Sequence, residues 1–152
     1  MSIKTLSDLI DWTRQLHDHL ARCLAQSATK NQDERARALL DYLASHESKL
    51  EKMVKLFENQ ADPKLMHSYV YDYLSNQLIE THRTSTGRYA DLGFDNICKE
   101  VFDLHHQVLD LYRYLDGKID TLEATRLLHS LLSMEEHEAM RLVRQTGRMQ
   151  DL

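Results

Sequence analysis

Apolar residues recur every three or four positions along most of this chain, the period of a helix that buries one face. Leu6, Leu9, Trp12, Thr13, Leu16, Leu20 and Leu24 form the first stripe and predict a helix over about 6–27. A polar segment, 28–33, interrupts it, with Asn31 or Asp33 placed to cap the next helix. Ala36, Leu39, Leu40, Leu43, Leu50, Val54 and Phe57 predict that second helix over about 34–59. Asp62-Pro63 opens a shorter amphipathic element over 63–80, using Leu65, Met66, Val70, Tyr73, Leu74 and Leu78. Residues 81–94, polar and containing Gly87 and Gly93, read as loop. Asp95 or Asn96 then caps a third long helix carrying Val101, His105, Val108, Tyr112 and Leu115, which Gly117 ends. Asp120 and Glu123 have the spacing of a capping box. The fourth long helix spans about 121–146, with Leu128, Leu131, Leu142 and Val143 near its buried face and Gly147 as its stop.

Loop lengths convert these elements into a topology. The first and second long helices are joined by a short loop, as are the third and fourth, which favours antiparallel neighbours. More than 30 residues separate the second from the third. The pattern predicts an all-α four-helix bundle of two helical hairpins, linked by a long crossover containing a short helix. Residues 36–47 also align with 124–135, matching leucine pairs and bringing Glu47 onto Glu135, a weak sign of a repeated hairpin.

Composition supports one helical domain over 1–152: the chain has a single proline and four glycines. With 19 Lys plus Arg against 24 Asp plus Glu, the net charge of -5 offers no steering field for nucleic acid or an anionic membrane. The apolar runs are far too short to span a bilayer, and the N-terminus lacks a secretory core, so a cytoplasmic location is expected. Cys23 and Cys98 fit no metal-knuckle or redox spacing and read as reduced thiols. There is no phosphate-binding glycine loop, no paired-histidine zinc-protease motif, and no constellation that would make Ser45 or Ser133 a nucleophile.

The chemistry lies in polar residues that interrupt the stripes. Glu47 falls among Leu40, Leu43, Leu50, Val54 and Phe57; Glu135 and Glu138 fall between Leu131 and Leu142; His105 falls between Val101 and Val108. His17 lies beside the first stripe. A buried carboxylate must accept donors, reach water, take up a proton or bind a cation. These residues admit two readings. Glu47, His105, Glu135 and Glu138, assisted by His17, could bind iron, manganese or zinc. Alternatively, the same groups form a hydrated seam or a polar layer that specifies packing, with no cofactor.

The segments LLDYLASHE, 39–47, and LLHSLLSMEEHE, 127–138, with LYRYL at 111–115, resemble the ferritin-like superfamily, in particular its small rubrerythrin-like four-helix proteins. The resemblance implies a ferritin-like bundle with a carboxylate on each hairpin's first helix and a Glu-x-x-His pair on each second helix. Glu47 and Glu135 match the glutamates of those pairs. Leu50 and Glu138 stand where the pattern has histidine, His105 stands near the third-helix carboxylate, and the first helix offers Thr13, Arg14, Leu16 and His17 without a matching glutamate. A weaker similarity to hemerythrin-like proteins rests on the His105–Asp110 spacing and on His46 and Glu51. The superfamily resemblance implies a metal-binding protein with oxidoreductase or stress-related activity. The alternative is a metal-free helical interaction protein acting as a homodimer, with the crossover tyrosines Tyr69, Tyr71 and Tyr73 available to a partner.

Overall fold

The computed structural model describes residues 3–70 and 88–151. Within them the elements are α1 (Leu6–Lys30), α2 (Glu34–Gln60), the single-turn α3 (Pro63–Met66), α4 (Phe94–Leu115) and α5 (Leu122–Gln150). The four long helices coincide with the predicted stripes, and their ends show local chemistry. Thr5 and Asp8 form a reciprocal capping box at the start of α1: the Asp8 amide donates to Thr5 Oγ1 and the Thr5 amide to the Asp8 carboxylate. Asp33 caps α2 and Asp62 caps α3, as expected.

Three boundaries differ from expectation. Helix α4 begins one residue before Asp95, with Gly93 as its cap and no side-chain capping bond. Thr121, rather than Asp120, caps α5 by accepting from the Ala124 amide. Helix α5 also runs through Gly147 to Gln150, because a lone glycine weakens a helix without ending it unless the backbone turns left-handed. Gly117, at φ 82°, does adopt that conformation and closes α4.

Two apolar groups fill the bundle. One gathers Leu6, Leu9, Trp12 and Leu16 with Val54, Val108, Tyr112 and Leu131. The other gathers Leu20 and Leu24 with Leu39, Leu43, Ile97, Val101 and Leu142. Tracing each helix from one group to the other gives its direction. Helices α1 and α5 run from the first group to the second, and α2 and α4 run back. Because α2 and α4 are parallel, the described ends of the connection between them lie at opposite ends of the bundle, as a crossover topology requires.

The described ends of the crossover are tied at opposite ends of the molecule. After α3 the chain extends instead of continuing as helix: the Leu6 amide donates to Ser68 O, Val70 N to Lys4 O, and Asp120 N to Tyr69 O. These bonds, with bridges Thr5–Tyr69 and Val70–Ile119, take up backbone groups that a longer helix would have used internally. Tyr69 is exposed, whereas the rest of the predicted 63–80 element, with Tyr71 and Tyr73, lies outside the described residues. At the other end, Asn31 Nδ2 donates to the carbonyls of Tyr89 and Leu92, its Oδ1 accepts from Asp33 N, and Ser27 Oγ accepts from Tyr89 N. Tyr89 is thereby sealed into the second apolar group. Asn31→Ala is expected to destabilise the protein by about 2 kcal/mol in urea unfolding, because it strands buried carbonyl groups. Asn31→Asp, which keeps the acceptor but loses both donors, is expected to recover only part of that loss.

Candidate metal centre

Between the two apolar groups lies a polar layer to which every long helix contributes. His17 on α1 lies between Leu16 and Leu20; His46 and Glu47 on α2 between Leu43 and Leu50; His105 on α4 between Val101 and Val108; Glu135 and Glu138 on α5 between Leu131 and Leu142. All six are buried, none more than 7% exposed. The helical period explains why: each occupies a core position of its stripe, so folding carries it inward with the leucines.

Four of the five residues singled out from the sequence form one chain of contacts. His17 Nδ1 is 2.6 Å from Glu47 Oε2, and His17 Nε2 is 2.8 Å from Glu135 Oε1. The other oxygen of Glu47 lies 2.5 Å from His105 Nε2. An imidazole that donates from both nitrogens must carry both protons, so His17 is an imidazolium clasped between two carboxyl groups. Burial alone would lower its pKa, but the charges and hydrogen bonds of Glu135 and Glu47 prevail and raise it to about 10. Burial likewise disfavours ionised Glu47, yet His105 and His17 together hold its carboxyl well below the usual range.

The fifth residue, Glu138, belongs to a second, looser part of the layer. Its Oε2 lies 3.6 Å from His46 Nε2, and its Oε1 lies 3.6 Å from Arg141 at the surface. Among the described residues, both ring nitrogens of His46 and the Oε2 of Glu138 are buried without a hydrogen-bond partner. Burial, ahead of the neighbouring charges, lowers the pKa of His46. His46 is the residue that sequence reasoning missed, because beside Glu47 its position reads as the edge of the stripe. The signal was present: Leu39, Leu43, His46 and Leu50 are spaced four, three and four apart. By contrast, His106, His129 and His137 are exposed.

Neighbouring residues shape the layer. Thr13 Oγ1 donates to Leu9 O, so the Tyr112 hydroxyl must donate to Thr13 Oγ1 in the contact between them. Burial, then the proximity of Glu135, raises the pKa of that phenol. Arg14, whose charge would oppose a cation, instead pairs with Glu51 and Glu58 on α2. Asp110 is exposed and pairs with Arg113, so the hemerythrin-type spacing from His105 does not bring it into the layer.

The weak repeat becomes specific once the layer is seen. Glu135 lies 88 positions after Glu47, and His105 lies the same 88 after His17. One register therefore relates both helices of the two hairpins. The repeat-equivalent glutamates occupy the two nitrogens of one histidine, giving this part of the layer an approximate two-fold character. His46 and Glu138 break it: their counterparts are Met134 and Leu50.

A crystal structure from Thermotoga maritima, provisionally described as a ferritin-like diiron-carboxylate protein, superposes with a TM-score of 0.56 over 97% of each chain at 14% identity. The fold is ferritin-like. No protein-family model matches the sequence, and no curated protein sequence matches it.

Whether this ferritin-like bundle can hold a metal depends on the donor set of its polar layer. Among the described residues, no group of three or more His, Cys, Asp or Glu side chains is arranged to hold a metal ion as it stands. The reason is local: His17 and His105 direct nitrogens at carboxyl oxygens, so protons occupy lone pairs that a metal would require. His46 and Glu138, by contrast, keep buried polar atoms without a hydrogen-bond partner, which are costly until something joins them. No described helix is long and apolar enough to cross a membrane.

Proposed function

We propose that this chain binds a transition-metal ion in the mid-bundle layer. The observation that carries this reading is the set of unpartnered donor atoms on His46 and Glu138, inside a layer of three imidazoles and three carboxyl groups. Glu47, Glu135, Glu138, His105 and His46 are the candidate donors, with His17 a candidate only after losing a proton. Iron or manganese would supply one-electron chemistry there, and zinc would supply Lewis-acid chemistry. The protein's own part is to exclude solvent with apolar packing on both sides and to hold the donors on rigid helices. Tyr112, anchored on Thr13, shapes the wall beside Glu135. This reading favours an oxidoreductase-type activity in the cytoplasm, without a nucleic-acid partner.

A second reading is favoured by His17. Its imidazolium already acts as the cation between Glu47 and Glu135, so the layer could serve only to fix helix register in a metal-free interaction protein. A homodimer would then use the exposed apolar side chains of α5, Met140 and Val143.

Elemental analysis separates the two readings. Protein purified after growth with added iron, manganese or zinc is expected to retain metal in stoichiometric amount. The Glu47→Gln/Glu135→Gln double variant is expected to retain several-fold less. Wild-type protein free of metal under all three conditions would leave the second reading standing.

A further inference from the structure

Resting on the homodimer reading above, we propose that a second copy of this chain docks on the outer face of α5. The two α5 helices run antiparallel, and the two-fold axis passes at Met140. The inner side of α5 is filled by Leu128, Leu131, Glu135, Glu138 and Leu142. On its outer side, by contrast, Met140 is 62% exposed and Val143 50%. Both line a groove between α4 and α5, together with buried Leu109 and half-buried Ala139. Apolar side chains left in water around a groove are surface that association can bury.

The pattern about Met140 identifies the occupant. A two-fold interface must match itself, so that residue i meets j and j meets i. Glu136 and Arg144 stand four residues before and after Met140, on the same side of the helix. Antiparallel pairing therefore sets each Glu136 opposite Arg144 of the other copy, in two equivalent contacts. Ser133 and Gly147, both exposed, stand seven residues before and after, where small residues let two backbones approach. Glycine weakens a helix, yet a side chain at Gly147 would meet no described neighbour within 4 Å. Its own chain thus gives no packing reason for glycine there, whereas a facing backbone does. Charge on this face is balanced, Arg113 and Arg144 against Asp110 and Glu136, with Arg113 3.4 Å from Asp110 and 3.8 Å from Glu136. The groove of the opposite hairpin fails the same condition. There Arg22, Lys49 and Lys52 surround Asp18, which already pairs with Arg22, so two copies of that face would repel.

The test is analytical ultracentrifugation of the full chain over a concentration series. Wild type is expected to pass from monomer to dimer. Met140→Glu, which sets two carboxylates against each other on the axis, is expected to weaken association roughly 100-fold. Glu136→Arg and Arg144→Glu are each expected to weaken it roughly 10-fold or more, because symmetry turns two attractions into two repulsions. An equimolar mixture of those two variants is expected to recover wild-type association, since both contacts of the mixed pair again join opposite charges. These side chains lie at the surface, so helical circular dichroism should be unchanged in every variant. Mild oxidation of Met140→Cys is expected to crosslink the dimer, whereas His129→Cys, about 33 Å from its counterpart in this pairing, is not. A dimer that survives both charge reversals, variants that stay monomeric on mixing, or equal crosslinking at both positions overturns this register while leaving a homodimer of another geometry. Wild type that stays monomeric at its highest soluble concentration overturns the homodimer reading itself.

Discussion

Glu47→Ala is expected to destabilise the metal-free protein by about 3–5 kcal/mol, a large part of the total for a domain of this size. Glu47 is fully buried and accepts from two imidazoles on two other helices, His17 on α1 and His105 on α4. Removing it leaves His17 as a buried cation with only Glu135 for compensation, and leaves His105 Nε2 without its carboxyl partner. Glu135→Ala removes an acceptor from His17 alone, so its effect is expected to be smaller, about 2 kcal/mol. Urea unfolding monitored by far-ultraviolet circular dichroism of chelator-treated protein gives both values. Equal losses for the two substitutions, or a loss under about 1 kcal/mol for Glu47→Ala, would show that the layer is not organised around Glu47.

The second large effect is a stability maximum near pH 6.5 in the metal-free protein. His17 has a folded pKa raised from 6.5 to about 10, so its contribution is complete below pH 6.5 and is lost as pH rises through 10. The loss over that interval is on the order of 4 kcal/mol. On the acid side two groups act together. Glu47, with its folded pKa depressed, contributes stability above its unfolded value of 4.5 that disappears as pH falls toward the folded one. His46, depressed by burial, binds its proton more readily when unfolded, so acid below pH 6.5 also favours unfolding. Unfolding free energies measured across pH 4 to 10 should therefore trace an asymmetric dome. His17→Gln is expected to flatten its alkaline limb and, because His17 helps His105 to hold the Glu47 carboxyl low, to shrink the acid limb in part. An alkaline limb unchanged by that substitution would remove His17 from the account.

Much of this protein is legible in its sequence because helices announce themselves locally. Leucine stripes, one proline and short loops within each pair of helices give the two hairpins, and the distance from α2 to α4 requires the crossover. The same periodicity carries Glu47, His105, Glu135 and Glu138 inward, since a helix cannot rotate one core residue out without exposing its leucines. Boundaries are less legible. Asp95 does not cap α4 but accepts from Gln150 Nε2, and α5 runs past Gly147 to Gln150, whose carbonyl accepts from Arg35.

The sequence alone therefore determined an all-helical bundle and the depth of its polar residues. Tertiary structure decided which of those residues meet. No spacing along the chain says that His17 lies between Glu47 and Glu135, because those contacts join three helices and depend on their relative height and rotation. The equal 88-residue offsets are present in the sequence, but only the shared layer gives them meaning. Tertiary structure also separated His46 and Glu138 from the rest. Periodicity reports whether a side chain faces the core, whereas an unpartnered buried atom becomes evident only after every neighbouring donor and acceptor has been placed.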